Sequence, residues 1–162
     1  MDLMILSDSF GVFMVANQGL LKLKGFSKLL FKNECESYIR KYINEDGAGA
    51  DIISAMPEIS YTFDRMKNNQ VHDELAEIAD FSKTGDDCVK EFVLADFSGN
   101  HGGKVFAVKQ KFVVKCSDKR PEDGFLDYSG VLLGVGVCQR GSLIQNNETF
   151  EFVPERGGVL CD

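Results

Sequence analysis

Tryptophan is absent from this sequence of 162 residues and proline occurs only 3 times, whereas glycine occurs 16 times and phenylalanine 13 times. This mixture favours sheets joined by tight turns over a bundle of helices. The hydrophobic fraction of 44% and the charged fraction of 27% are ordinary for a globular chain. The length suffices for one domain with a substantial core, so we expect residues 1–162 to form a single domain.

Residues that bind metals are scarce and poorly spaced. The 2 histidines are His72 and His101. No carboxylate or thiolate stands at ligand spacing from either, so we expect both at the surface and no metal site. The 5 cysteines form no C-x-x-C pair, which argues against a zinc site and against a disulfide framework. We therefore expect reduced thiols, as in a protein made in a cytosol, at Cys35, Cys88, Cys116, Cys138 and Cys161.

Basic residues are too few to balance the acidic ones, since 18 Lys and Arg face 25 Asp and Glu and the net charge is −7. An acidic chain repels phosphates, so we expect no nucleic-acid grip, although DNA could pass along such a surface without sticking. Long hydrophobic runs are also missing, and none could span a bilayer. The N-terminus carries Asp2 and Asp8 but no basic residue before Lys22, unlike a signal peptide. We expect no membrane partner.

Residues 57–87 combine two periodicities in direct succession. From residue 58 to 65 the period is two, with Ile59, Tyr61 and Phe63 on one side, which predicts a strand with one buried face. From Val71 the period becomes helical, and Asn68 or Asn69 can cap that helix. We expect the buried stripe at Val71, Leu75 and Ile78, and we expect solvent or a neighbouring subunit around His72, Asp73 and Glu77.

Strand patterns recur along most of the remaining chain. Alternating apolar residues separated by turn residues predict an antiparallel all-β fold with about seven or eight strands and one short flanking helix. The pair around the turn at residues 98–103 predicts a hairpin. The predicted strands are residues 10–16, 21–24, 26–32, 58–65, 89–97, 104–115, 126–139 and 143–153. Residues 26–32 are either a separate strand or the continuation of residues 21–24 past a bulge at Gly25.

Other regions are less decisive. Residues 1–20 leave an N-terminal arm or a first strand open, and residues 33–46 fit both a helical stripe and a strand. Residues 44–54, NEDGAGADIIS, contain three acidic residues and two glycines and predict a loop, because such residues suit turns and not a core. Residues 117–124 predict a charged loop, and residues 154–162 predict a C-terminal tail.

The strand at residues 126–139 has an unusual face. Valines and a leucine occupy one side, and three glycines occupy the other. Glycine inside a strand costs stability, so it often marks close approach by another backbone. The three glycines are Gly130, Gly134 and Gly136.

Patterns that carry catalysis are missing. Residues 99–104, GNHGGK, lack the Ser or Thr of a phosphate loop and open into a strand, so no helix N-terminus would hold a phosphate. The acidic cluster at residues 118–127 lacks the alternation and the closing Glu of a calcium loop. No Ser/His/Asp or Cys/His arrangement is present, so we expect no enzyme, no catalytic residue and no cofactor.

Seven short stretches occur in a distinctive order between residues 41 and 143. They are residues 42–46 (YINED), 57–64 (PEISYTFD), 68–73 (NNQVHD), 85–87 (GDD), 93–97 (VLADF), 107–111 (AVKQK) and 127–130 (DYSG). This arrangement resembles the major tail proteins, or tail tube proteins, of bacteriophages with long non-contractile tails that infect Gram-positive bacteria. The first thirty residues take no part in the resemblance.

The resemblance implies two packed antiparallel β-sheets, of the sandwich or barrel-like tail-tube type, with one short flanking helix. It implies hexameric rings that stack into a tube in the virion, with one sheet of each subunit joining a barrel around a channel for DNA ejection. Long loops, here residues 44–56, and terminal arms would join successive rings. The implied partners are further copies of the chain, other tail proteins at the tube ends, and a tape-measure protein and viral DNA that pass through the lumen without sequence-specific binding.

The protein would be made in the cytoplasm of the bacterial host and would end in the phage tail. The resemblance also makes four loop residues and the glycine face of the strand at residues 126–139 the expected subunit interface. Two other functions stay open: a ring-forming tail terminator or distal tail protein of the same fold, and a β-barrel protein that binds a small ligand. The expected interface residues are Asn44, Glu45, Asp46, Asp51, Gly130, Gly134 and Gly136.

Overall fold

A computed structural model of the chain describes residues 9–41, 43, 46–47, 49–101 and 104–156, without the side chains of residues 100 and 101. These residues form eight strands, one α-helix and one short 3-10 helix. In chain order they are β1 (Phe10–Ala16), β2 (Gly19–Lys22), β3 (Phe26–Arg40), β4 (Gly49–Asp64), α1 (Gln70–Asp80), the 3-10 helix (Gly85–Cys88), β5 (Val89–His101), β6 (Lys104–Glu122), β7 (Phe125–Asn146) and β8 (Thr149–Pro154).

All strand pairs among the described residues are antiparallel, and the strands hydrogen-bond in the order β2-β1-β5-β6-β7-β4-β3, with β8 added on β7. β7 is 22 residues long, and it pairs with β4 along its first part and with β8 along its last part. The Phe150 ring of β8 lies 4.8 Å from the Phe13 ring of β1. The open sheet is thus curled into packed layers, which confirms the prediction of a mainly β, sandwich-like fold with one helix.

The predicted two-residue period of β4 is confirmed. Ile59, Tyr61 and Phe63 are at most 2% exposed, and the alternate residues are half-buried. The aromatic pair belongs to a stacked series, because the Phe63 ring lies 6.1 Å from Tyr61 and 5.4 Å from Tyr128 of β7. This half of β4 therefore forms the floor of the core beneath α1.

The predicted helix stripe is also confirmed. Val71, Leu75 and Ile78 of α1 are buried in the same core as β4. The side chain of Asn69 accepts a hydrogen bond from the backbone N–H of His72, which satisfies one of the unpaired donors of the first turn. Cap and stripe together fix α1 on one face of the sheet.

A second core lies on the opposite face of the sheet. It exists because β5 is apolar on both sides, with Phe92 directed to the α1 core and Val93 and Ala95 to the other. Aromatic side chains of β5 and β8 cover it. Its buried members are Phe13, Val93, Ala95, Val105, Ala107 and Leu143, and Phe97, Phe150 and Phe152 pack against them.

The loop predicted at residues 44–54 is wrong for its second half. β4 begins at Gly49, and Asp51 pairs with Tyr38 of β3. Residues 44, 45 and 48 lie outside the described residues. The two open alternatives for residues 33–46 resolve in favour of a strand as far as Arg40, because the β-branched and aromatic residues of β3 find a second strand of the same character.

Two further predicted turns are shorter than expected. β5 runs to His101 and β6 runs to Glu122, so much of residues 98–103 and 117–124 is strand. At the end of β6 the polar residues continue the ladder with β7 as far as Glu122, and at the end of β5 His101 pairs with Lys104 after an irregularity. Asp123 and Gly124, both with positive φ, make the turn into β7.

The prediction that the cysteines are reduced holds for some of the described cysteines and not for all of them. Cys35, Cys88 and Cys116 are free, whereas Cys138 is disulfide-bonded. The prediction is therefore wrong for Cys138. Spacing in the sequence carries no information about pairs that the fold brings together.

Candidate assembly surface

The outer half of the β3–β4 hairpin projects from the body of the protein. β4 pairs with β7 only from Glu58 to Asp64, so the part before Glu58 pairs with β3 alone. We call residues 33–40 of β3 and 49–57 of β4 the distal hairpin. A two-stranded ribbon is marginally stable in water on its own, so an additional contact would stabilise the distal hairpin.

Both faces of the distal hairpin carry exposed apolar side chains. Tyr38 is 57% and Ile39 is 69% exposed, and Ile52 and Ile53 are 70% and 65% exposed. Consecutive residues of a strand point to opposite faces, so each strand contributes one of these side chains to each face. Clustered exposed apolar residues mark sites of interaction more often than scattered ones do.

Polar contacts hold the register of the distal hairpin. Arg40 and Asp51 form an ion pair at 3.1 Å, and Ser54 Oγ donates to Glu36 Oε2 at 3.3 Å. Both contacts are exposed, and such pairs contribute little to stability. Their effect is on geometry, because they keep the two strands of the ribbon aligned.

The expected interface residues of this region fall in different places. Asp51 lies on the distal hairpin and is exposed, and Asp46 lies exposed near its turn. Asn44 and Glu45 lie outside the described residues. Sequence reasoning missed the apolar residues that dominate this surface, although the adjacent pairs Tyr38-Ile39 and Ile52-Ile53 carry a strand signal.

The three glycines that we expect to form one face of β7 lie in different surroundings. A Cβ at Gly130 would lie 2.4 Å from the Lys115 carbonyl oxygen, and a Cβ at Gly134 would lie 2.4 Å from Cγ of Pro57. Both glycines are buried, and close approach within the subunit explains them. Gly136 differs, since it is exposed with φ +69 and has nothing within 4 Å of its Cβ position. A contact of these glycines with another subunit stays a prediction.

His72 is buried, which contradicts the prediction of a surface histidine. Its Nδ1 accepts the Met66 backbone N–H at 3.1 Å, so Nε2 carries the proton and donates to the Lys24 carbonyl at 2.8 Å. Its ring stacks on Phe63 at 4.3 Å. Burial lowers the pKa of His72, while the bond to Lys24 acts in the opposite direction. His72 therefore ties the start of α1 to two loops as a neutral group.

The sequence did contain a sign of this burial. His72, Leu75, Ala76 and Ala79 stand at i, i+3, i+4 and i+7, which is a second apolar stripe beside the predicted one. No group of metal-binding side chains was found among the described residues, and His72 already uses both ring nitrogens within the chain. It is a packing residue.

A polar cluster anchors the end of α1. Lys119 Nζ donates to Asp80 Oδ1 at 2.7 Å, and the Tyr128 hydroxyl donates to the same carboxylate at 3.0 Å. The Lys119 bond is the main reason that the pKa of Asp80 is lowered. A carboxylate that has a lowered pKa and already pairs with a cation is a poor proton acceptor, so we interpret the cluster as structural.

An open groove lies on the α1 side of the sheet, beyond the helix. It encloses about 410 Å³, and its lining is mainly apolar, with Phe10, Phe31 and Phe106 at the rim. The groove is not the closed cavity that a ligand-binding barrel would have, and the sheet itself is not closed. Within the described part of the chain, no helix is long and apolar enough to cross a membrane.

No protein-family model matches the sequence, and no curated protein matches it significantly. A chain in the virion of a native gene transfer agent particle has a TM-score of 0.58 and 11% identity, covering 91% of this chain and 98% of its own. A chain in the tail of an empty gene transfer agent particle, refined with C6 symmetry, has a TM-score of 0.58 and 14% identity, with 82% and 96% covered.

A chain in the 6-fold symmetrised baseplate of the anti-feeding prophage has a TM-score of 0.51 and 11% identity, covering 86% of this chain and 97% of its own. At these identities the likeness concerns the fold. The three structures have in common that they are tail, virion or baseplate assemblies of phage-like particles.

Proposed function

We propose that the chain is a structural subunit of a phage tail tube, which assembles into stacked hexameric rings around a channel for DNA ejection. The observation that carries the proposal is the agreement of the fold, over most of both chains, with a chain of a tail refined with C6 symmetry. The order of short stretches in the sequence supports the narrower family of long, non-contractile tails in phages of Gram-positive bacteria. The subunit would act without a cofactor and without catalysis.

The distal hairpin supports contact between subunits. Its apolar residues are exposed on two faces, and no described part of the chain covers them. A second copy would bury them and would at the same time stabilise a ribbon that is marginal alone. We propose that successive rings meet at this hairpin and at Asn44, Glu45 and Asp46, which the sequence predicts to lie in a loop.

The edges of the sheet support a ring in which strands of neighbouring subunits join. β3 is 15 residues long and lies at one end of the strand order, where β4 is its one partner among the described strands. A long open edge is a template for another strand. The opposite edge, β2, has only 4 residues. We propose that the β3 edge takes part in the joined barrel.

The net charge of −7 suits a conduit. Positive groups in the lumen would hold the phosphates of passing DNA, whereas an acidic or neutral surface would release them. A lumen that proved net positive in the assembled tube would contradict this part of the proposal.

Negative-stain electron microscopy of the purified protein tests the proposal. Extended tubes are expected. Isolated rings would favour a tail terminator or distal tail protein. The likeness of the fold to a baseplate chain supports this alternative. A stable monomer at high concentration, in sedimentation, would contradict both and would favour a ligand-binding protein.

A pair of variants ties the assembly to the distal hairpin. Ile39→Lys places a charge on an exposed apolar position of the hairpin, so it should abolish tubes while leaving the subunit folded by circular dichroism. Phe81→Lys is the matched control, because Phe81 is 74% exposed at the end of α1. It should assemble like the unchanged protein. Equal assembly of both variants would remove the hairpin from the interface.

A further inference from the structure

The apolar groove has the form of a binding site for an extended segment. Its floor is formed by buried residues of β4 and β6, Ile59 and Phe112, and its rim by three phenylalanines. The rim is exposed in the described structure, with Phe10 at 41%, Phe31 at 40% and Phe106 at 51%. Three exposed aromatic rings around one depression form an apolar patch that an occupant would remove from water.

Two of the rim residues form a contact between strands that are not adjacent in the sheet. Phe10 of β1 and Phe31 of β3 make an edge-to-face contact at 5.0 Å, although β1 and β3 are not neighbours in the sheet. Phe106 of β6 takes no part in this contact and is the most exposed of the three rim residues, at 51%. A segment lying in the groove would therefore contact Phe106 most directly.

The chain itself supplies a segment of suitable chemistry, which is joined to the groove through residues 9 and 10. Residues 1–8, MDLMILSD, precede the described residues and contain the apolar run Leu3-Met4-Ile5-Leu6. The segment ends two residues before Phe10, which is itself at the rim. Four extended residues span about 13 Å at ~3.3 Å each.

We propose that the groove binds the chain's own N-terminal segment, residues 1–8, through its apolar run. The short covalent connection makes the segment's effective concentration high, of millimolar order for short linkers, so even a weak apolar contact would be occupied. Lys32 at the groove offers a partner for Asp2 or Asp8, while Glu58 and Asp96 at the groove would disfavour a deeper position of those acids. The contact does not depend on ring formation, so its failure would leave the proposed function standing.

The absence of tryptophan allows a direct test. Phe106→Trp places the only tryptophan of the chain at the rim, and its emission reports whether the groove is filled. Removal of residues 2–8 from this variant should shift the emission to longer wavelength and increase quenching by acrylamide. Phe81→Trp, on the exposed end of α1, is the matched control and should not respond to the same removal.

A second set of variants keeps the length of the chain. The double substitution Ile5→Asp and Leu6→Asp in the Phe106→Trp background should reproduce the effect of the removal, whereas Ser7→Ala should not. Unchanged emission after the removal would overturn the proposal. A spectral shift that depended on dilution of the full chain would also overturn it, because the occupant would then be a second copy.

Discussion

Lowering the pH through the ordinary pKa of histidine should destabilise the subunit, and His72 should be the main cause. Burial lowers the pKa of His72 in the folded state, so the unfolded chain binds the proton more readily. Protonation would also place a hydrogen on Nδ1, which now accepts the Met66 N–H. Stability due to neutral His72 is therefore complete above about pH 6.5 and is lost as the pH falls below that value toward the folded pKa.

The size of the effect has an upper bound. A single group changes the free energy of unfolding by at most about 1.4 kcal/mol for each pH unit, so the step from pH 6.5 to 5.5 should remove at most about 1.4 kcal/mol. The carboxylates Glu77, Asp80 and Asp96 have lowered pKa values, and their contributions are lost only at lower pH. They should contribute little to this window.

Urea unfolding followed by circular dichroism at pH 7.5 and 5.5 measures the effect. His72→Gln keeps a side-chain acceptor and a donor but cannot titrate, so its stability should depend less on pH, even if it is lower throughout. Tyr38→Phe, an exposed substitution that leaves His72 in place, is the control and should keep the full dependence. Equal pH dependence of the unchanged protein and His72→Gln would refute the reasoning.

A close packing contact and a hydrogen bond give further predictions. Gly130→Ala should lower the free energy of unfolding by roughly 1–3 kcal/mol, as overpacking does, because the new Cβ would meet a backbone oxygen at 2.4 Å. Gly99→Ala is the control, since its Cβ would have nothing within 4 Å. Urea unfolding should show little change in the free energy of unfolding for Gly99→Ala. Tyr128→Phe should cost about 1 kcal/mol through the lost bond to Asp80, whereas the exposed Tyr38→Phe should not; equal effects of the two changes would contradict the anchoring of α1.

Local patterns sufficed where one face of an element is buried and the other is not. The stripe of α1, its cap at Asn69 and the buried face of β4 at Ile59 were all predictable, because burial on one side imposes a period that the sequence must follow. The hairpin between β5 and β6 was predictable from two strand patterns separated by the glycine-containing turn at residues 98–103.

The same method failed where a strand extends beyond the core. The distal hairpin buries neither face, so residues such as Asp51 follow no alternation and resemble a loop. His72 failed for another reason, since its burial depends on Phe63, Lys24 and Met66, which only the folded chain brings to it. For close contacts such as that of Gly134 with Pro57, the glycine in the sequence indicates that something approaches closely. The sequence does not indicate which residue approaches.

Helical reconstruction of the assembled protein by electron cryomicroscopy tests the central claim most directly. The account predicts a tube of stacked rings with six-fold symmetry, in which the distal hairpin of each subunit is buried against another subunit and the lumen is not net positive. A protein that remained monomeric at high concentration, or an assembly in which Ile39 and Ile52 stayed in solvent, would contradict it.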